Sequence, residues 1–169
     1  ATKKSSGVLV ETGTWSEQGL NFMFVNKTIA PSGTTIYYCK DKNNSCEPNK
    51  QIRPESRITT YNEEEGVYYI RYKAVSGVGI ESEVEVFKAQ VDYTNPTCTL
   101  KTTGTLNDAG NVYLTNVKVE FETVEDSISG VREYGIGSST GEHEITHTED
   151  SSETVRYVGY VKDNAGNTS

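Results

Sequence analysis

The sequence predicts an all-β protein of two consecutive β-sandwiches, and three observations carry that reading. Hydrophobic residues are only 34% of the 169 and aromatics 9%, too few apolar side chains for one large core and too many aromatics for a disordered chain. Fifteen Gly and 11 Tyr stand among many Thr, Ser and Val, with one Met and no long Ala, Leu, Glu, Lys or Arg stretch, a composition of strands and turns. The chain also repeats itself. Val67-Tyr68-Tyr69-Ile70-Arg71-Tyr72-Lys73-Ala74, followed by Gly79 and Ser82, aligns without a gap on Thr154-Val155-Arg156-Tyr157-Val158-Gly159-Tyr160-Val161, followed by Gly166 and Ser169. Upstream, Asn21 to Phe24 matches Lys118 to Phe121, and Ser32-Gly33 matches Ser129-Gly130. The larger offset of this second set places an insertion in the first module, at Cys39 to Pro54.

The boundary is expected in Val91-Asp92-Tyr93-Thr94-Asn95-Pro96-Thr97, dividing the chain into modules 1–94 and 95–169. Pro96 cannot donate to a sheet ladder and biases Asn95 towards extended backbone, so the linker is short and stiff. Within the modules, short apolar-alternating runs bounded by turn residues read as strands. They are Gly7–Glu11, Leu20–Asn26, Thr34–Lys40, Arg57–Tyr61, Gly66–Val75 and Glu81–Val91 in the first. In the second they are Cys98–Thr103, Val112–Phe121, Val131–Ile136, Glu142–His147 and Thr154–Lys162. Period-two alternation sets Tyr68, Ile70, Tyr72 and Ala74 against Tyr69, Arg71 and Lys73, and sets Val155, Tyr157, Gly159 and Val161 inward. The second module stops where the first continues through Glu83 to Ala89, so it is expected to lack most of its last strand. The polar start, Ala1 to Ser6, and the absence of an apolar run of roughly 18 residues predict no signal peptide and no transmembrane helix, as in a mature protein or a piece of a longer one.

Several of these residues resemble the tandem immunoglobulin-like modules of large bacterial surface and secreted proteins. Tyr157-Val158-Gly159-Tyr160-Val161-Lys162-Asp163-Asn164-Ala165-Gly166-Asn167 is similar to that family's penultimate strand and its Asp-x-Ala-Gly-Asn turn. Asp126-Ser127-Ile128-Ser129-Gly130-Val131 resembles its Asp-x-x-Ser-Gly lead into the third strand, and Val91-Asp92-Tyr93-Thr94-Asn95-Pro96 resembles its joints. In the first module Ser76-Gly77-Val78-Gly79 stands in place of the Asp-x-Ala-Gly turn. The resemblance implies two immunoglobulin-like Greek-key sandwiches and leaves ligand open, because the scaffold has many uses.

The chemistry is sparse. A net charge of -8 repels phosphate backbones and anionic lipid headgroups, so no nucleic-acid partner and no direct membrane insertion are expected. Cys39 and Cys46 bracket a polar loop after a strand and are expected to form a disulfide, which implies an oxidising, extracellular setting; two buried thiols are the alternative. Cys98 is left over, and a partner for it is expected beyond the C-terminus. His143 and His147 lie four apart in what reads as an exposed strand or loop, and are expected to be solvated. Asp163 is expected to cap its turn, where Gly166 and Asn167 tolerate the positive φ that a tight turn can require. No nucleophile elbow or phosphate loop is present, so no catalytic residues, cofactor or metal are assigned. Calcium at the domain junction, on Glu63 to Glu65, Asp92 and Asn95, is the one metal considered. Trp15 is expected at a sandwich edge, or stacked on a sugar ring with Tyr69.

The function expected is that of non-catalytic spacer or display modules of a bacterial cell-surface or secreted protein, partnered by neighbouring domains of the parent. The rival is an adhesin or carbohydrate-binding module that meets a host or cell-wall protein or glycan through the 39–54 insertion and nearby loops.

Overall fold

The computed structural model describes residues 2–4, 10–24, 33–53, 57–59, 65–148 and 154–169. Gly7 to Leu9, Val25, Asn26, Pro54, Thr60, Tyr61, Glu63 and Glu64 of the expected elements lie outside them. The chain is all-β and divides into two compact units, Ala1–Tyr93 and Thr94–Ser169. Among the described residues no helix is long and apolar enough to cross a membrane.

The first unit contains β1 (Thr2–Lys4), β2 (Trp15–Ser16), β3 (Leu20–Met23), β4 (Thr35–Asp41), β5 (Lys50–Ile52), β6 (Arg57–Thr59), β7 (Gly66–Val75) and β8 (Glu85–Val91). They form a three-stranded sheet ordered β1-β3-β6 and a five-stranded sheet ordered β2-β8-β7-β4-β5. β7 is the organising strand. Its Tyr-rich, alternating sequence pairs antiparallel with β4 on one side and β8 on the other, and alternation drives Tyr68 and Ile70 into the core. Leu20 of β3 packs with Tyr68, Ala89 and Val91, while Phe22 and Phe24 pack with Ile52 and Ile70. Phe22 sits edge-on to Phe24 and to Phe87, with ring centroids 5.1 Å apart in both pairs. The two sheets therefore face each other across one apolar layer, the arrangement of a sandwich.

The second unit contains β9 (Thr97–Thr103), β10 (Val117–Glu125), β11 (Val131–Ile136), β12 (Glu144–His147) and β13 (Gly159–Asp163). One sheet is ordered β12-β10-β9 and the other is the pair β11-β13. Val119, Ile136, Val161 and Ala165 are buried, and Phe121 of β10 meets Tyr134 of β11 edge-on at 5.1 Å. Gly159 of β13 lies close against side chains of β9 and β10. A Cβ there would lie 3.0 Å from the Phe121 ring and 3.2 Å from Cys98 Sγ, so a larger residue would push the sheets apart. After β13 the chain turns back, and Ser169 N–H donates to Val161 O at 3.0 Å.

Three expected strands change. Val112 to Leu114 are not strand: the Asn107 N–H donates to Val112 O and the Leu114 N–H to Thr105 O, while the Asn107 side chain accepts from the Asn111 and Val112 N–H groups. This local hairpin leaves Val112 and Leu114 exposed and starts β10 at Val117. Thr154 to Val158 precede the strand rather than form it, so Val155 is 46% exposed rather than inward. Glu81 to Val84 lie outside β8, because Ser82 Oγ takes the Ala74 N–H instead. The short β1, β2 and β5 were not expected from the sequence, and Val10 and Glu11 of the expected first strand are not strand.

Ile70, 1% exposed, supplies the first test. Ile70→Ala should cost about 2–5 kcal/mol in urea unfolding, whereas Val84→Ala, at an exposed position, should change it by less than about 0.5 kcal/mol. Similar losses for both would mean that the core does not lie between β3 and β7.

Candidate functional site

Two regions gather chemistry, one in each unit. In the first, Cys39 and Cys46 are bridged, with Cα atoms 6.1 Å apart, as the spacing predicts. The loop they close is organised by Asp41, the last residue of β4. Its Oδ2 accepts the N–H and Oγ–H of Ser45 at 3.0 Å each and the Cys46 N–H at 2.9 Å. Asn44 turns the chain with a φ of 55°, a conformation that Asn tolerates better than most residues. Arg71 Nη1 donates to Asn44 O at 2.8 Å. The Ser45 N–H is the main reason the Asp41 carboxyl lies below the ordinary carboxylate range; burial opposes it, and the Ser45 hydroxyl and the Cys46 and Asn44 N–H groups add to it. Behind the loop, the Lys40 and Lys42 ammonium groups stand 5.2 and 5.5 Å from the Tyr68 ring centre. The insertion is thus a fixed platform, whose polar groups are largely used to hold itself.

The same strands build a mixed outer face. Tyr68, Ile70, Ala89 and Val91 mark the inner side, so alternation sends Tyr69, Arg71, Lys73, Val86 and Lys88 outward. Pairing aligns them in rungs: Asp41, Tyr69 and Lys88; Cys39, Arg71 and Val86; Tyr37 and Lys73. One rung further along, Gln90 lies beside Trp15 of β2, which places Trp15 on an edge strand. Tyr37, Tyr69, Arg71, Lys88 and Trp15 are half-buried, and Lys73 Nζ is 2.6 Å from Glu81. The sequence shows the alternation of β7, but which residues of β2, β4 and β8 share its outer side follows only from register.

In the second unit two aspartates clamp turns. Asp126 Oδ1 accepts N–H bonds from Ile128, Ser129 and Gly130, the last at 2.6 Å. Asp163, wholly buried, accepts the Gly166 and Asn167 N–H groups on Oδ1 and the Asn167 amide on Oδ2. Asp163 therefore caps its turn as expected. Gly166 takes the positive φ, 112°, and Asn167 does not. Asp126 and Asp163 each bring a carboxylate oxygen within 4.8 Å of the other's, and the backbone donors around them offset their like charge.

Of the residues considered for calcium, Glu63 and Glu64 lie outside the described residues. Glu65 Oε1 accepts the Tyr93 N–H at 2.7 Å, Asp92 is buried with its N–H on Ser16 O, and Asn95 is exposed. Glu65 and Ser16 thus hold the chain as it leaves β8. The histidines are not simply solvated. His143 stacks on Tyr134 with centroids 4.1 Å apart, and His147 Nδ1 is 3.0 Å from Tyr157 Oη, so separate tyrosines hold them and they do not form one site. Cys98 is a free, half-buried thiol.

Comparison of the chain with protein-family models, with curated proteins and with solved structures finds no match.

Two tests follow from the loop. Replacing Cys39 and Cys46 together by Ser should lower stability by about 2–3 kcal/mol through released loop-closure entropy; an unchanged unfolding midpoint would show that the bridge constrains nothing. Because folding depresses the Asp41 pKa, its contribution is complete above about pH 4 and is lost as pH falls through the folded value. Asp41→Asn should therefore flatten part of the acid limb of the stability profile. An acid limb identical to wild type would remove Asp41 from that role.

Proposed function

We propose that the chain forms two tandem immunoglobulin-like modules of a secreted or surface-exposed bacterial protein, acting as a non-catalytic spacer that displays neighbouring domains of its parent. One observation carries the reading: both units distribute their main strands in the same way. Setting aside the short β2 and β5, the first, second and fourth strands of each unit form one sheet, namely β1, β3 and β6 or β9, β10 and β12. The third and fifth lie in the other, β4 and β7 or β11 and β13, and in the first unit β8 extends that sheet. That shared distribution supports the Greek-key reading that the sequence resemblance implies. Two sandwiches that each close over their own core suit a strut, since every unit resists deformation by itself. The disulfide supports an extracellular, oxidising setting.

A spacer has to carry tension, which makes single-molecule pulling from the two termini the appropriate measurement. Two separate ruptures are expected, lengthening the chain by on the order of 25 nm each from the extended length per residue. Reduction of the disulfide should add about 2.5 nm to one of them, the length of the loop it shields. A single rupture releasing the whole chain would mean that the two halves share one core and would overturn the reading.

A further inference from the structure

The geometry points to a binding function beyond that of a spacer: the outer face of β2-β8-β7-β4 in the first unit is a site for an anionic polysaccharide, one bearing carboxylates or sulfates. The solvated side of an antiparallel sheet ordinarily carries small polar and charged residues. Here it carries Trp15, Tyr69 and Tyr37 together with Lys88, Arg71 and Lys73, and Val86 adds a 39% exposed apolar side chain beside Arg71. The four rungs span about 20 Å along the strands, enough for a short run of sugar rings in extended form.

Charge selects the occupant. The chain as a whole is acidic at -8, and most of that excess comes from residues 94–169. Lys88 and Arg71 nevertheless share this one sheet face, with Lys73 beside them paired to Glu81, and the acid on the same rungs, Asp41, has one oxygen committed to the Ser45 and Cys46 N–H groups. A neutral glycan would need the tyrosines and the tryptophan without the lysines. A carboxylated or sulfated chain uses both sets of groups: flat aromatic faces stack against its sugar rings, and ammonium and guanidinium groups meet its anions.

Register also pre-organises the face. Tyr69 and Lys88 stand directly opposite each other, as do Tyr37 and Lys73, so both tyrosines have a cation beside them, while Trp15 lies beside Gln90. Arg71 is fixed by its bond to Asn44 O in the disulfide loop, which ties the insertion to the site as its wall rather than as its contact surface. Side chains already ordered lose less freedom on binding.

The test uses the full chain and two probes that separate the kinds of anion, polygalacturonate and dextran sulfate, with neutral dextran as reference. Affinity electrophoresis and calorimetry near physiological salt should show binding to one or both polyanions and none to dextran. Tyr69→Ala and Lys88→Gln should each weaken that binding about tenfold, with unchanged circular dichroism, whereas Lys101→Gln in the second unit should leave it as it is. Lys88→Gln also guards against misfolding, since its side chain is half-buried on the outer face, away from the disulfide loop. Four outcomes would overturn the assignment: failure to bind either polyanion; equal binding to dextran; unaltered binding by both first-unit variants; or displacement by single-stranded DNA at equal charge concentration. Salt-sensitive self-association weakened by the same variants would assign the face to a second copy of this chain and would equally sink the polysaccharide.

Discussion

The first unit depends on the double pairing of β7. With β4 on one side and β8 on the other, its backbone groups enter two antiparallel ladders, and a slip of one residue in either would exchange Ile70 for Tyr69 or Arg71 in the core. Burial prevents the slip. Ile70 is 1% exposed and Tyr68 5%, and both pack on β3 residues of the facing sheet. Once that register is fixed, the outer side of the sheet is fixed with it, and so is the alignment of Tyr37 with Lys73 and of Tyr69 with Lys88. The core and the candidate binding face are two sides of a single constraint.

The second unit relies on a different device. Its sheet β11-β13 has only two strands, too few to be stable alone. Two carboxylates, the half-buried Asp126 and the buried Asp163, make up part of the deficit. Asp126 gathers the N–H groups that precede β11, and Asp163 those that follow β13; Val131 and Asp163 are also paired across the sheet. The turns at the end of this sheet are therefore clamped by charge-assisted bonds, which are stronger than neutral ones. Asn164 adds to this by donating its amide to Ser129 O and Gly130 O. The polar motif that resembles known turns is thus accounted for by hydrogen bonding within its own turns.

The insertion of the first unit follows a similar economy. Asp41, the disulfide and Arg71 hold Cys39 to Cys46 in one conformation. Their polar groups are turned to the loop's own support, so the insertion serves the neighbouring sheet as a rigid border. The outer sheet face sets three aromatics beside Lys88 and Arg71, whereas the polar groups of the loop are committed to its own folding. That contrast is why binding is assigned to the sheet rather than to the loop that the sequence brings to notice.

Much of the architecture was legible in the residues. Gly66–Val75 and Val131–Ile136 form strands at the bounds their alternation predicts, because long period-two runs with β-branched and aromatic residues have few other ways to bury themselves. The disulfide followed from spacing, and the cap at Asp163 from turn chemistry. Other features were not legible. Val112 to Leu114 look like strand, yet the Asn107 side chain captures them in a local hairpin; Trp15–Ser16 and Lys50–Ile52 are too short to show periodicity and exist because β8 and β4 offer open edges. His143 and His147 gave no hint of their tyrosine partners, which come from other strands or segments. The sequence determined which segments are strands and which side of each is apolar, since these are properties of neighbours along the chain. Tertiary structure decided which strands pair and in what register, because that depends on contacts between residues far apart in sequence, and the candidate site consists of nothing else.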